Sequence, residues 1–377
     1  MSTRNEALIL SAGISGFGYH PGAPQDHPRR LIEVDHYRQL VQTAERNLLD
    51  FVLLDDARAL PDNLAYGRLD ALSVLSRLAP ETKSIGLAVS KPTTYSEPFT
   101  VSRELATLDF VSGGRAAWNV TTNASDAEAA NYGRQHALAA SERYAIAEEF
   151  VEVSRKLWDS WEDDAVITDR ARGYYLDPTK LHHINHVGKH FKIRGPQITY
   201  RPPQGHVVVI QQDEGNQNLP LSPDIADVII LHHQWLEPAQ TDYKRLKDEA
   251  RAHGRQIKIL QSILPILDRT KELARARATE LERDAALRNG HATKIKSLQF
   301  VGTPEQFVDL LAYWFDGNAT DGFHLLPAVL PQGLGELTQS IVPELQKRGL
   351  FRQEYSGQTL RSHLGLPRPE SQYAAVN

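Results

Sequence analysis

The chain contains no cysteine, which excludes disulfides, thiolate catalysis and cysteine-ligated metals. It also lacks a basic block or stripe: the formal net charge is −5 over 377 residues, with both signs mixed along the sequence. Nucleic-acid binding therefore has no electrostatic footprint. No apolar run approaches the roughly 18 residues needed to span a bilayer. The opening Met1–Glu6 lacks the apolar core of a secretory signal, and no internal repeat or low-complexity segment stands out. These absences predict a soluble cytoplasmic protein without membrane or nucleic-acid partners. Its 41% of hydrophobic residues suffices for one large core.

What is present is a regular alternation of short apolar runs and helical patterns. Strands are expected at Ala7–Ser11, Phe51–Leu54, Ile85–Ser90, Ala116–Thr121, Val207–Gln211, Val228–Leu231, Ile257–Leu264 and Gly322–Leu326. They read as near-continuous hydrophobic segments, as strands buried on both faces do. Helical periodicity falls between them, at His36–Asn47, Leu69–Leu78, Pro98–Phe110, Ser141–Asp159, Thr241–His253, Pro304–Phe315 and Leu337–Lys347. Thr303 before Pro304 is a good helix start, an N-cap followed by proline at the first helical position. This order predicts an α/β fold, a (β/α)8 TIM barrel. One barrel domain should span residues 1–365, with a C-terminal tail at 366–377. Two insertions interrupt the pattern. Residues 168–205, before strand 5, alternate Gly, Pro and aromatics like a β-ribbon; residues 269–298, after strand 7, read as a solvated helix.

Two stretches carry the strongest signal. Phe110–Thr122 is a Gly113-Gly114 turn feeding a β-type run that ends in Asn119, Thr121 and Thr122. Arg143–Trp161 is an amphipathic helix with Ala147, Phe150, Val151, Leu157 and Trp158 at helical spacing. Together with Asp50–Asp56, Ile85–Leu87, Thr93–Pro98, Gly302–Glu305, Asp321–Phe323 and Arg348–Arg352, they resemble the bacterial-luciferase-like flavin-dependent monooxygenases. The branch resembled is that of the nitrilotriacetate, dibenzothiophene-sulfone and long-chain-alkane monooxygenases. The resemblance implies a barrel of the bacterial luciferase type, in which the insertion after strand 7 is shortened. It also implies reduced FMN from a separate flavin reductase, O2 as oxidant, a small organic substrate and a homo-oligomer.

In such a barrel, ligand contacts sit where strands end and loops begin. Ser90, Thr93, Asn119 and Thr121 are short hydroxyl and amide groups there, suited to a planar hydrogen-bonding cofactor. The resemblance places flavin contacts at these residues and at Asp56, and phosphate contacts at Tyr144 and its neighbour Arg143. Two departures stand against it. Ala140 replaces a histidine four positions before the tyrosine. Gln211–Asn216 puts Asp213 and Glu214 where relatives carry small phosphate-cradling residues. Candidates for acid–base work are His20, in the loop after strand 1, then Asp213 and Glu214, and His232 and His233 past strand 6. Carboxylates and imidazoles converging on one rim suit proton transfer; a solvated loop and backbone-bonded histidines are the plainer reading. Flavin-independent acid–base chemistry and a non-catalytic partner subunit are therefore alternatives to the monooxygenase. His182, His183, His186 and His190 fall in ribbon-like sequence, so no metal site is expected.

Overall fold

Eight parallel strands close on themselves in a computed structural model that describes residues 7–60, 66–122, 124–213, 222–289 and 295–373. The strands are β1 (Ile9–Gly13), β2 (Phe51–Leu54), β3 (Gly86–Pro92), β4 (Ala116–Thr121), β5 (Val208–Gln212), β6 (Val228–Leu231), β7 (Lys258–Leu267) and β8 (Gly322–Leu325). Each pairs in parallel with the next, and β8 returns to β1 through Ile9↔Gly322 to Ala12↔Leu325. This is the (β/α)8 barrel the alternation predicts. A further strand, Leu298–Gly302, extends the sheet by pairing with Ile263–Leu267 of β7.

The helices follow the sequence pattern closely. They are α1 (Val34–Arg46), α2 (Ala71–Leu78), α3 (Pro98–Ser112), α4 (Asp126–Ala130), α5 (Ala140–Asp159), α6 (Leu236–Ala252), α7 (Lys271–Asn289), α8 (Pro304–Asp316), α9 (Gln332–Lys347) and α10 (Leu360–His363). Thr303 caps α8 in a reciprocal box with Gln306. Two starts lie five residues earlier than periodicity suggests. Pro238 sits in the first turn of α6, where its missing N–H costs nothing. Gly333 and Gly335 lie in the opening turns of α9 and blur its apolar stripe. Residues 166–193 hold two short antiparallel ribbons, Val166–Asp169 with Tyr174–Leu176 and His186–Val187 with Lys192–Ile193. The described part of 269–298 carries α7.

Period-two alternation divides each strand between two environments. Leu10, Val52, Leu87, Trp118 and Phe323 face outward and join the helices in the main core. Phe51, Ala88, Ala117, Val208, Val228 and Leu260 face the lumen. Leu360, Leu364 and Leu366, from the chain's C-terminal part, join that lumen cluster and plug its lower end. Polar groups fasten the plug. Asp227 pairs with Arg361 at 2.9 Å and Arg255 at 3.1 Å. Burial opposes its charge, but Arg361 and Arg155 outweigh burial and hold the carboxyl well below its usual range. Beyond α10, Arg201 donates to the Pro369 carbonyl at 2.8 Å and Tyr373 stacks on His182.

The Gly-Gly turn has a structural cause. Gly113 caps α3 in the left-handed region (φ 69°), and a Cβ on Gly114 (φ 88°) would lie 2.7 Å from Thr359. Beneath the turn, buried Asp109 accepts from the Ala116 N–H at 3.1 Å and the Gln204 amide at 2.6 Å. Burial nevertheless pushes its carboxyl up to about 6. The folded state thus holds a proton that the unfolded chain releases near pH 4. Stability should therefore fall as pH rises through about 4 to 6. Asp50, also pushed up to about 6 by burial, contributes in the same direction. Urea midpoints across this window should show a shallower slope in Asp109→Asn than in the wild type; an unchanged slope would exclude Asp109 as a source.

Candidate active site

Above the aliphatic lumen layer, at the carboxyl ends of the strands, lumen-facing residues turn polar. On the β2–β4 side they form one hydrogen-bonded chain. Asn119 Nδ2 donates to Ser90 Oγ at 2.8 Å, and Ser90 donates to Asp55 Oδ1 at 3.1 Å. Asp55 Oδ2 accepts from Ser15 at 3.0 Å and from the Tyr19 hydroxyl at 3.4 Å. Burial pushes the Asp55 carboxyl up while the serine donors oppose it. Burial and the neighbouring Asp55 push the Tyr19 phenol up. On the opposite side, Ser11 Oγ lies 2.9 Å from His324 Nδ1. Ser262 Oγ bonds His232 Nδ1, with Ser297 Oγ 3.3 Å from the same nitrogen.

The sequence candidates fall into three groups. Ser90 and Asn119 belong to the polar chain and are almost fully buried. Thr93 sits at the same rim, but its N–H and hydroxyl both serve the Thr121 carbonyl, at 3.0 and 3.3 Å. Asp56 turns out of the chain that Asp55 joins; its carboxylate, pushed up by burial, has the Arg58 guanidinium 3.1 Å away. Arg143 is buried in the first turns of α5 and donates to the Leu138 carbonyl at 2.6 Å, with half-buried Tyr144 beside it. Ala140 opens that helix.

Among the acid–base candidates, Asp213 follows β5 directly, and its charge favours the protonated form of His232. Burial is the larger influence and pushes His232 down. His233 turns away, its Nε2 2.9 Å from Asp242 on α6. His20 is buried in its own turn, where Nδ1 accepts the Gly22 N–H at 3.0 Å. It lines a cavity of about 630 Å³ with Gln234, Trp235, Glu282 and Ser297. Glu214, and Gly215–Asn216 after it, lie outside the described residues. Of the ribbon histidines, His182 bonds Glu162 at 2.7 Å, His183 the Gly195 carbonyl at 2.8 Å and His186 Glu149 at 3.1 Å. The His190 backbone N–H also bonds Glu149, at 2.9 Å.

Tyr19, Ser15, Asp55, Ser11, Ser262 and His324 were not singled out from the sequence. Strand alternation was the available signal: Phe51, Leu53 and Asp55 share a face, as do Ile9 and Ser11, or Gly322 and His324. Cavity size would have misdirected the search. Two clefts of about 1080 Å³ each lie away from this rim, at the amino-terminal face around Lys247 and Asp321, and on the α5 flank around Glu149 and His206.

Among the described residues, Tyr95 OH in the loop after β3, and Asn119 Oδ1 and Thr122 Oγ1 at the end of β4, are buried polar atoms with no hydrogen-bond partner, as is Arg143 Nε on α5. Each such atom costs about 1–3 kcal/mol, so those at the strand ends mark a place where a polar ligand would be accommodated. Comparison with known proteins agrees with a ligand-binding barrel. Residues 13–321 match the model of the luciferase-like monooxygenases. The chain belongs to that family.

It is an enzyme of the monooxygenase kind. It is 35% identical to N-acetyl-S-(2-succino)cysteine monooxygenase of Bacillus subtilis (strain 168), over 99% of this chain and all of that protein. It is 33% identical to nitrilotriacetate monooxygenase component A of Aminobacter aminovorans, over 95% of this chain and 96% of that one. Among solved structures it resembles a riboflavin lyase determined with modified FMN and riboflavin. The TM-score is 0.85 and the identity 26%, covering 97% of both chains. The alignment with the Bacillus protein runs over 443 positions against 377 residues here, so at least 66 of those positions have no residue in this chain.

The polar chain makes Ser90 its centre, because Asn119 and Asp55 both depend on its hydroxyl. Ser90→Ala should lower stability by about 1–3 kcal/mol, the cost of leaving buried groups unpaired. Urea unfolding checks this, and a change below experimental error would show that water replaces the hydroxyl.

Proposed function

We propose that this chain is the oxygenating component of a two-component monooxygenase, using O2 and FMN reduced by a separate flavin reductase. The observation that carries the reading is the occurrence of partnerless buried polar atoms after β3, at the end of β4 and on α5. They are donors and acceptors spread over a strand end, its loop and a helix start, as a large flat polar cofactor requires. Asn119, Thr122 and Tyr95 would hold the ring system, with Arg143 and Tyr144 on its phosphate side. Bound reduced flavin would supply the electrons that activate O2. The protein's part is to position that ring, shield it from water and orient the substrate.

The "component A" in the nitrilotriacetate enzyme's name supports a separate reductase. The relatives' names also support a small organic substrate bearing a C–N or C–S bond. We assign the protein to the cytoplasm; among the described residues, no helix is long and apolar enough to cross a membrane. Phe110 and Val111 on α3 and Tyr313 on α8 are exposed, and they support a homo-oligomer formed through the outer helices.

One observation favours flavin-independent acid–base chemistry instead: the acid Asp213 stands near the buried imidazole of His232. Absorbance titration with FMN, and anaerobically with its reduced form, separates the two. Saturable micromolar binding of reduced FMN is expected; no binding of either form at millimolar concentration would refute the monooxygenase reading. Asp213→Gly combined with Glu214→Ser should tighten that binding. A unit-charge pair about 5 Å apart costs roughly 3 kcal/mol at an effective dielectric near 20, so the gain should reach up to about a hundredfold. An unchanged dissociation constant would show that neither acid faces the phosphate.

A further inference from the structure

The histidine side of the lumen has a geometry that the flavin does not explain. Ladder register pairs Ser11 with His324, and His324 with Ser262. Leu231 pairs with Gln261, one residue before His232 and Ser262. Ser11, His324, Ser262 and His232 are therefore register neighbours along four adjacent strands: β1, β8, β7 and β6. Barrel lumens are ordinarily filled with branched aliphatic side chains. Here the row alternates hydroxyl and imidazole. Polar groups without a ligand to meet would make that row less stable than an aliphatic one.

Each imidazole commits Nδ1 to a serine: His324 to Ser11 at 2.9 Å, and His232 to Ser262 and Ser297. Among the described hydrogen bonds, the Ser11 and Ser262 hydroxyls have no acceptor other than these nitrogens. With the hydroxyls donating, Nδ1 would accept and the ring proton would sit on Nε2. The His324 ring also lies nearly parallel to Phe51 of β2 (16°, centroids 6.4 Å apart). The surroundings of both rings favour the uncharged form. Burial and the His232 ring push His324 down to about 3. Burial pushes His232 down, with Lys296 and His233 reinforcing and Asp213 opposing. The partnerless atoms that suit the cofactor belong to the β3–β4 side, which leaves this side of the lumen to whatever faces the cofactor.

We propose that the β6–β7–β8–β1 arc is the substrate half of the site, where His232 and His324 present two neutral Nε2–H donors to a carbonyl or carboxylate oxygen of the substrate. This assignment rests on the cofactor placement above. Neutral donors of fixed orientation hold an oxygen acceptor and stabilise negative charge developing on it without themselves giving up a proton. Serine hydroxyls behind them fix the tautomer, so Ser11 and Ser262 are positioning residues.

The test is long-range 1H–15N spectroscopy of full-length protein with labelled histidine rings. Ser11→Ala and Ser262→Ala, each perturbing one ring, assign the signals. At neutral pH both rings should show the Nε2–H tautomer. Succinate, a carboxylate probe, or acetamide, a neutral carbonyl probe, should shift both Nε2 signals saturably, and the tighter binder identifies the acceptor's charge. His324→Gln should weaken that probe about tenfold, roughly the worth of one hydrogen bond, and leave FMN binding within about twofold. An Nδ1–H tautomer in either ring, or no shift with either probe, overturns the proposal. FMN titrated into the same sample keeps the two readings apart. Probe shifts without FMN binding defeat the flavin assignment alone, and FMN binding without probe shifts defeats this one alone.

Discussion

Closure of the parallel ladder is the constraint on which the rest of this protein depends. Once β8 pairs with β1, alternate residues of every strand are committed to one enclosed lumen, and all must fit at shared levels. The lower level is aliphatic and is sealed from beneath by Leu360, Leu364 and Leu366. The upper level is polar and lies beneath the loops of the carboxyl-terminal rim. The boundary between the two falls within single strands, between Ala88 and Ser90 on β3, or Ala117 and Asn119 on β4. A two-residue step along the backbone thus separates core from chemistry.

Polar side chains in that upper level are tolerable because nearly all are paired in two hydrogen-bonded arcs. Asn119, Ser90, Asp55, Ser15 and Tyr19 make one. The serine–histidine pairs make the other. Among the exceptions, Asn119 Oδ1 and Thr122 Oγ1 lie together at the end of β4. Satisfied groups hold the frame rigid, while the unsatisfied ones face the place where a cofactor would complete them. At the opposite end of the barrel, charges do structural work. Asp227 with Arg361 and Arg255 anchors the plug, and Asp109 ties the Gly113-Gly114 turn to Gln204.

The rim acids lead to a different physical picture from the one spacing suggested. Asp213 acts on His232 across the strand ends. His233 is drawn off to Asp242 on α6. Adjacent residues at a strand end point to opposite sides, so the His232-His233 pair splits into a lumen residue and an outer-face residue. The same rule separates Asp55 from Asp56: one joins the lumen chain, the other pairs with Arg58 in the loop. Residue type alone did not distinguish the members of either pair.

Local pattern in the sequence settled the order of the eight barrel strands, the cap of α8, the turn after α3, and the family. Apolar periodicity and turn chemistry act over a few residues and leave their mark in the linear chain. Ser90 and Asn119 were legible as site candidates because they end recognisable strands. Tertiary structure alone decided which serine meets which histidine, and which of two adjacent acids enters the lumen. Those contacts join residues such as Ser11 and His324, 313 positions apart, and they exist only once strand register and closure have set every lumen residue at its level. Hydrogen-bond distance, unlike hydrophobic period, is a property of the closed barrel rather than of any segment in it.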